Sequence, residues 1–197
     1  DDVMLDIVQQ NKFKTVWEKG NYRMGSTAQR LVPFLLNHIP ETATINDYGC
    51  GTGRAEVEIY KVRPNQKINM YDITIDALEP AVKNLIGVKP LTFTEVDLAD
   101  LGNIPKADWG ICINTLMTVQ KDKLDTILNE LKRTCNNLIV EMYDLPDFRC
   151  GWDLTTVKMN SVQWTEKLLE YWKIVSFTQS KESKSRYIFI CKDEVEC

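Results

Sequence analysis

The chain has 197 residues, 44% of them apolar and 26% charged. These are the proportions of a folded globular domain rather than of a disordered, collagenous or coiled-coil chain. No run approaches the ~20 apolar residues of a membrane span. A net charge of −4 speaks against a general nucleic-acid binder, and the single histidine, His38, excludes a multi-histidine zinc site.

In chain order, Val3 to Trp17 carries a helical stripe of Leu5, Val8 and Val16. Ser26 opens a second helix with Gln29 in capping-box position, and Pro33 bends that helix unless the helix begins there. Residues 1–40 read as a helical cap on a single domain spanning 1–197. No basic start followed by an apolar run marks a signal peptide.

From residue 43 onward, β-rich runs alternate with amphipathic ones. Strands are expected at Ala43–Tyr48, Lys67–Asp72, Leu91–Val96, Trp109–Ile113 and Leu138–Val140. Helices are expected at Arg54–Tyr60, Ile75–Ile86 and Asp122–Thr134. Such alternation builds right-handed crossovers and a mostly parallel sheet covered by helices. The runs 172–179 and 185–192 are joined only by a polar turn, too short for a parallel crossover, so they form an antiparallel hairpin.

Six cysteines (Cys50, Cys112, Cys135, Cys150, Cys191 and Cys197) form no C-x-x-C pair, and several sit in apolar runs. They read as reduced core thiols of a cytoplasmic protein.

The sharpest motif is Asp47-Tyr48-Gly49-Cys50-Gly51-Thr52-Gly53, between a strand and a helix. Glycines there let the backbone turn sharply and approach a ligand. The dinucleotide fingerprint fails, because Arg54 stands where its last glycine belongs, and no Lys-Ser or Lys-Thr follows to make a phosphate loop.

The pattern D-x-G-x-G-x-G resembles the first motif of class I S-adenosylmethionine-dependent methyltransferases. An acidic residue before the glycines suits a ligand that carries a sulfonium and an ammonium and no phosphate. The resemblance covers residues 43–192 and implies a three-layer Rossmann-like α/β fold. Its seven-stranded sheet would be mostly parallel, with an antiparallel last strand. It implies that Asp47, Gly49, Cys50 and Gly51 surround the amino-acid end of S-adenosylmethionine. Asp72 would accept from both ribose hydroxyls, as in other doubly wound folds, with Ile73 on the adenine face. Asp97 would accept from the adenine amino group beside the Leu98 backbone, and Asn114 would meet the methionine end.

The acceptor is far less legible. Asn114-Thr115-Leu116-Met117 lacks the prolines and aromatic of amino-methylating DNA enzymes, and Asn114 breaks the Lys-Asp-Lys-Glu tetrad of ribose methylation. Asp144 and Asp147 supply only part of a metal-assisted set, so no metal is expected, and no residue is marked as a catalytic base. The cap offers Tyr22 and Arg23, and the long loop from Tyr143 to Asn160 offers Tyr143 and Trp152, as walls of an acceptor pocket.

With no separate recognition domain, a small molecule is the expected acceptor. A nucleic acid is the alternative, through basic segments holding Lys12, Lys14, Lys19, Arg23 and Arg30, and then Lys181, Lys184 and Arg186. A protein acceptor, or a non-catalytic cofactor-binding subunit, would use the same glycine motif. No membrane partner is expected, and the sequence leaves oligomeric state open.

Overall fold

A computed structural model describes residues 5–25, 28–180 and 183–194. β1 (Thr44–Tyr48) lies centrally, parallel to β2 (Lys67–Asp72) on one side and β4 (Ala107–Ile113) on the other. β3 (Leu91–Glu95) extends the sheet beyond β2, and β5 (Cys135–Tyr143) extends it beyond β4. β7 (Arg186–Lys192) pairs antiparallel with both β5 and β6 (Lys173–Gln179). The order β3-β2-β1-β4-β5-β7-β6 is the mostly parallel seven-stranded sheet expected from the sequence.

Alternating strand residues feed two cores, because successive side chains point to opposite faces. Ile45, Ile68, Met70, Ile111, Ile139 and Ile190 face α3 (Val32–His38), α4 (Arg54–Val62) and α5 (Pro80–Lys83). Tyr48, Cys112, Leu138, Val140 and Phe189 face α6 (Leu124–Thr134) and α7 (Ser161–Leu169). The result is three layers. α6 buries the stripe Leu124, Ile127, Leu128 and Leu131, where truncating one leucine to alanine costs ~2–5 kcal/mol. Gly110 in β4 is required, since a Cβ there would meet Tyr48 at 2.7 Å and Cys135 Sγ at 2.8 Å.

Several expectations change. The helix expected over Ile75–Ile86 is instead one 3-10 turn, Ile75–Ala77, followed by the short α5. Pro80 has no N–H to donate, and it holds Glu79 extended at φ −72°, ψ 150°, which ends the first turn. The first helix, α1 (Ile7–Glu18), begins at Asp6, whose side chain caps it by accepting from the Gln9 amide. α2 (Gly20–Met24) follows it. Ser26 lies outside the described residues. Pro33 sits in the first turn of α3 and causes no bend, because an N-terminal turn leaves that N–H free anyway. α7, which the sequence reading overlooked, opens on a capping box in which Asn160 and Gln163 bond reciprocally at 2.9 Å.

Candidate functional site

The sheet's carboxyl edge ends in a cleft whose floor is the glycine loop between β1 and α4. Gly49, Gly51 and Gly53 have φ of 73°, 57° and 73°, the left-handed region that side chains resist. Space enforces the choice as well: a Cβ on Gly49 would lie 2.4 Å from Thr115 Oγ1, and one on Gly53 would lie 2.7 Å from Val82. The Gly49 and Cys50 amides both donate to the Tyr71 carbonyl, at 2.7 and 3.2 Å, which ties the loop to the end of β2.

Asp72 closes β2 and lines the cleft. Its carboxyl accepts from the Gly51 amide at 2.9 Å and from the Thr74 amide at 3.4 Å. Burial pushes its pKa up to about 6, and those amides moderate the rise. Ile73, Val96 and Leu98 add an apolar wall beside it. Asp97 accepts from the Ala99 amide at 2.9 Å, so it also caps the turn that follows β3. Its other oxygen lies 3.7 Å from Lys123 Nζ, which bonds Asp6 at 3.0 Å.

At the end of β4, Asn114 takes φ 53°. Its amide donates to the Glu141 carbonyl at 2.9 Å and its Nδ2 to Glu141 Oε1 at 3.0 Å. Arg30 reaches both Glu141 oxygens at 3.1 Å, so this basic residue of the cap has a structural duty.

The roof comes from α1, α2 and the loop after β5. Gln9, Phe13 and Trp17 recur every fourth residue along α1 and all face the cleft. Tyr22 meets Trp17 edge-on at 4.9 Å, and the Arg149 guanidinium stacks 4.9 Å from the Tyr22 ring. Arg149 also grips both oxygens of Asp147, at 2.9 and 2.7 Å, and the Gly25 carbonyl at 2.9 Å. Burial would raise Asp147's carboxyl, but these bonds outweigh it and hold the group below the usual range. Tyr143 donates to the same carboxylate at 2.9 Å. The enclosed space, counted to its open mouth, is about 1070 Å³.

The cleft therefore brings together Gly49, Cys50, Gly51, Asp72, Ile73, Asp97, Leu98, Asn114, Tyr22 and Tyr143. Asp47 lies outside its lining, buried beneath the glycines against Glu56. Arg23 and Trp152 are outside as well. Arg23 spends its guanidinium on the carbonyls of Trp17, Asp76 and Ala77, stapling the cap to the segment after β2. Trp152 is 37% exposed.

Sequence reasoning missed Gln9, Lys123 and Glu56. The first could have been found from its spacing with Phe13 and Trp17. The other two carry no local signal, since their neighbours come from distant parts of the chain. Lys181 and Cys197 lie outside the described residues, and Cys50, Cys112, Cys135, Cys150 and Cys191 are free and buried.

A glycine-floored crevice at the carboxyl edge of a mostly parallel sheet, with an acid closing the second strand, is the place where open α/β folds bind nucleotides and related ligands. Comparison with known proteins makes this specific. A methyltransferase-domain family model matches residues 40–186, and the chain belongs to that family. A methyltransferase domain of this fold implies S-adenosylmethionine as the methyl donor.

Among solved structures it is similar to a Burkholderia thailandensis 1,6-didemethyltoxoflavin-N1-methyltransferase, with TM-score 0.76 and 14% identity over 98% of this chain and 93% of that one. It is also similar to magnesium protoporphyrin IX methyltransferase from Synechocystis, with TM-score 0.63 and 17% identity over 98% and 87%. A curated relative, ribosomal RNA large subunit methyltransferase G of Vibrio parahaemolyticus, is 41% identical over 56 residues. That match spans 27% of this chain and only 14% of the relative. Among the described residues, no helix is long and apolar enough to cross a membrane.

The residues present fit the cofactor. The loop puts the chain at Gly49, Cys50 and Gly51 on the cleft floor, and each Asp72 oxygen keeps a lone pair beyond the one amide bond it accepts.

Proposed function

We propose that this chain methylates a small molecule within the roofed half of the cleft, working in the cytoplasm as one domain with residues 1–40 as its cap. The observation that carries the reading is the wall formed by Trp17, Tyr22 and Tyr143, clasped by Arg149 from the loop after β5. A roof of this kind admits a compact acceptor and keeps water from the reacting methyl. The Arg149 charge is already spent on Asp147, which favours an uncharged acceptor face. The toxoflavin and protoporphyrin enzymes among the structural neighbours support a small-molecule acceptor. The free buried thiols support a reducing compartment.

In this reading Asp72 holds the ribose hydroxyls, Ile73 and Leu98 flank the adenine, and Asp97 accepts from its amino group. Gly49, Cys50, Gly51 and Asn114 surround the amino-acid end, with Asp47 acting from beneath. S-adenosylmethionine supplies an electrophilic methyl on sulfur. The chain's own work is to hold an acceptor atom in line with that methyl, which alone accounts for a large part of such a rate enhancement. Tyr22 and Tyr143 line the acceptor end. A ribosomal or other nucleic-acid acceptor is the second reading, favoured by the short match to the ribosomal enzyme and by the lysines of the cap.

Labelled methyl transfer into extracts fractionated as metabolites, RNA, DNA and protein tests both. Label confined to the metabolite fraction is expected. Label in RNA would replace the first reading with the second. Cofactor binding without release of S-adenosylhomocysteine in any fraction would make the chain a non-catalytic subunit.

A further inference from the structure

Beneath the glycine loop, two carboxyls lie close together with no counter-ion among the described residues. Asp47, the last residue but one of β1, is 5% exposed, and Glu56, in the first turn of α4, is not exposed at all. They lie close enough for the charge of Glu56 to raise the Asp47 carboxyl. Among the described residues, neither Glu56 oxygen has a hydrogen-bond partner. A carboxylate without exposure or partner is too costly to keep ionised, so Glu56 holds a proton beside the buried Asp47.

Among the described residues, no lysine or arginine forms an ion pair with either carboxyl. The groups that face the pair are Asp72 from β2, Cys50 from the glycine loop, Tyr60 farther along α4, and Cys112 from β4. The adjacent Arg54 is turned to Glu79 and the Met24 carbonyl. Burial pushes both carboxyls up, and for Asp47 the charges of Glu56 and Asp72 add to the rise.

We infer that Asp47 and Glu56 share a proton in the cofactor-free enzyme and release it to solvent when a cationic nucleoside enters the cleft above them. The pair thereby favours the sulfonium cofactor over its neutral thioether product. This rests on the cofactor reading above. S-adenosylmethionine carries one net positive charge near neutral pH and S-adenosylhomocysteine none. Only the former brings an added charge that compensates a second carboxylate, which makes its binding the proton-releasing one. After transfer the cation is gone, the proton returns from solvent, and the product is held less tightly. No bond other than O–H is made or broken in this step.

Titration calorimetry with each nucleoside, in phosphate and in Tris at the same pH, counts protons directly. Asp72 meets the ribose of both ligands, so its own proton cancels in the difference. The expected result is that S-adenosylmethionine releases up to about one proton more than S-adenosylhomocysteine. The affinity ratio of the two should then climb with pH by up to about tenfold per unit while the pair is protonated. In Glu56→Gln, whose amide donates to a permanently ionised Asp47, that difference should vanish. Equal proton release by the two ligands overturns the inference and leaves the cofactor reading intact. So does a difference that survives Glu56→Gln. Failure of either ligand to bind overturns the cofactor reading and this inference together. If Glu56→Gln does not fold, the wild-type difference at pH 6, 7 and 8 decides the matter.

Discussion

Trp17 occupies the space a side chain at position 51 would need: a Cβ on Gly51 would meet its indole at 3.0 and 3.1 Å. The cap and the glycine loop are thus fitted to each other across the cofactor cleft. Gly51→Ala meets both this contact and a φ of 57°, whose left-handed conformation alone costs an L residue ~1–2 kcal/mol. Cofactor affinity should fall at least tenfold, read by calorimetry. Trp17→Ala removes one wall and should weaken binding about tenfold with little change in melting temperature. Unchanged affinity in both variants would detach the cap from the site.

Asp72→Ala removes the acid that bonds the Gly51 and Thr74 amides. If that acid also holds the ribose, affinity for S-adenosylhomocysteine should drop by ~1–3 kcal/mol. Asp72→Asn, which keeps one acceptor oxygen, should lose less. An alanine variant that binds as tightly as wild type would refute the assignment.

The same residue has a pH signature. Its carboxyl is raised to about 6 in the folded chain, against ~3.9 in an unfolded one. A raised acid contributes stability that is fully present below its unfolded value and is lost as pH rises through its folded value. Asp147, held low by Arg149, acts in the opposite sense, so the informative quantity is the difference between wild type and Asp72→Asn. Without cofactor, the wild type should lose stability relative to the variant by about 1.4 kcal/mol per pH unit between roughly 4 and 6. Denaturant titrations across that range measure it, and a flat difference contradicts the burial argument.

Arg149 joins Asp147, the Gly25 carbonyl and the Tyr22 ring in one clasp. Arg149→Ala should free the loop after β5 from α2 and leave Asp147 buried without its cation. Limited proteolysis should then cut within residues 144–160 several times faster. Methyl transfer should fall by at least tenfold, while cofactor affinity shifts by less than about threefold because the glycine floor is untouched. A large loss of cofactor affinity would place Arg149 in the cofactor half instead.

Asn114 holds φ 53° while bonding Glu141 through both its amide and its side chain. Asparagine tolerates that conformation better than most residues. Asn114→Ala should therefore cost ~1–2 kcal/mol in backbone strain alone. Asn114→Gly should relieve the strain but still lose the side-chain bond to Glu141. Thermal melts of the pair separate the two contributions.

The sheet, the glycine loop and the acids after β2 and β3 were legible in the sequence because each is a local pattern. Alternation marks strands, a proline stops a turn, and glycines announce a loop that no Cβ can enter. Where a local signal was overlooked, as at Pro80 and at Asn160 and Gln163, the element was misread.

What the sequence determined by itself is the order of layers and the glycine loop at the end of the first strand, since backbone sterics and strand alternation act over a few residues. What only the tertiary structure decided is which distant groups share one space. Trp17 lies over Gly51, Arg149 on Tyr22, and Glu56 near Asp47 with no counter-ion among the described residues. Burial and charge pairing depend on residues far apart along the chain, and no short pattern records them.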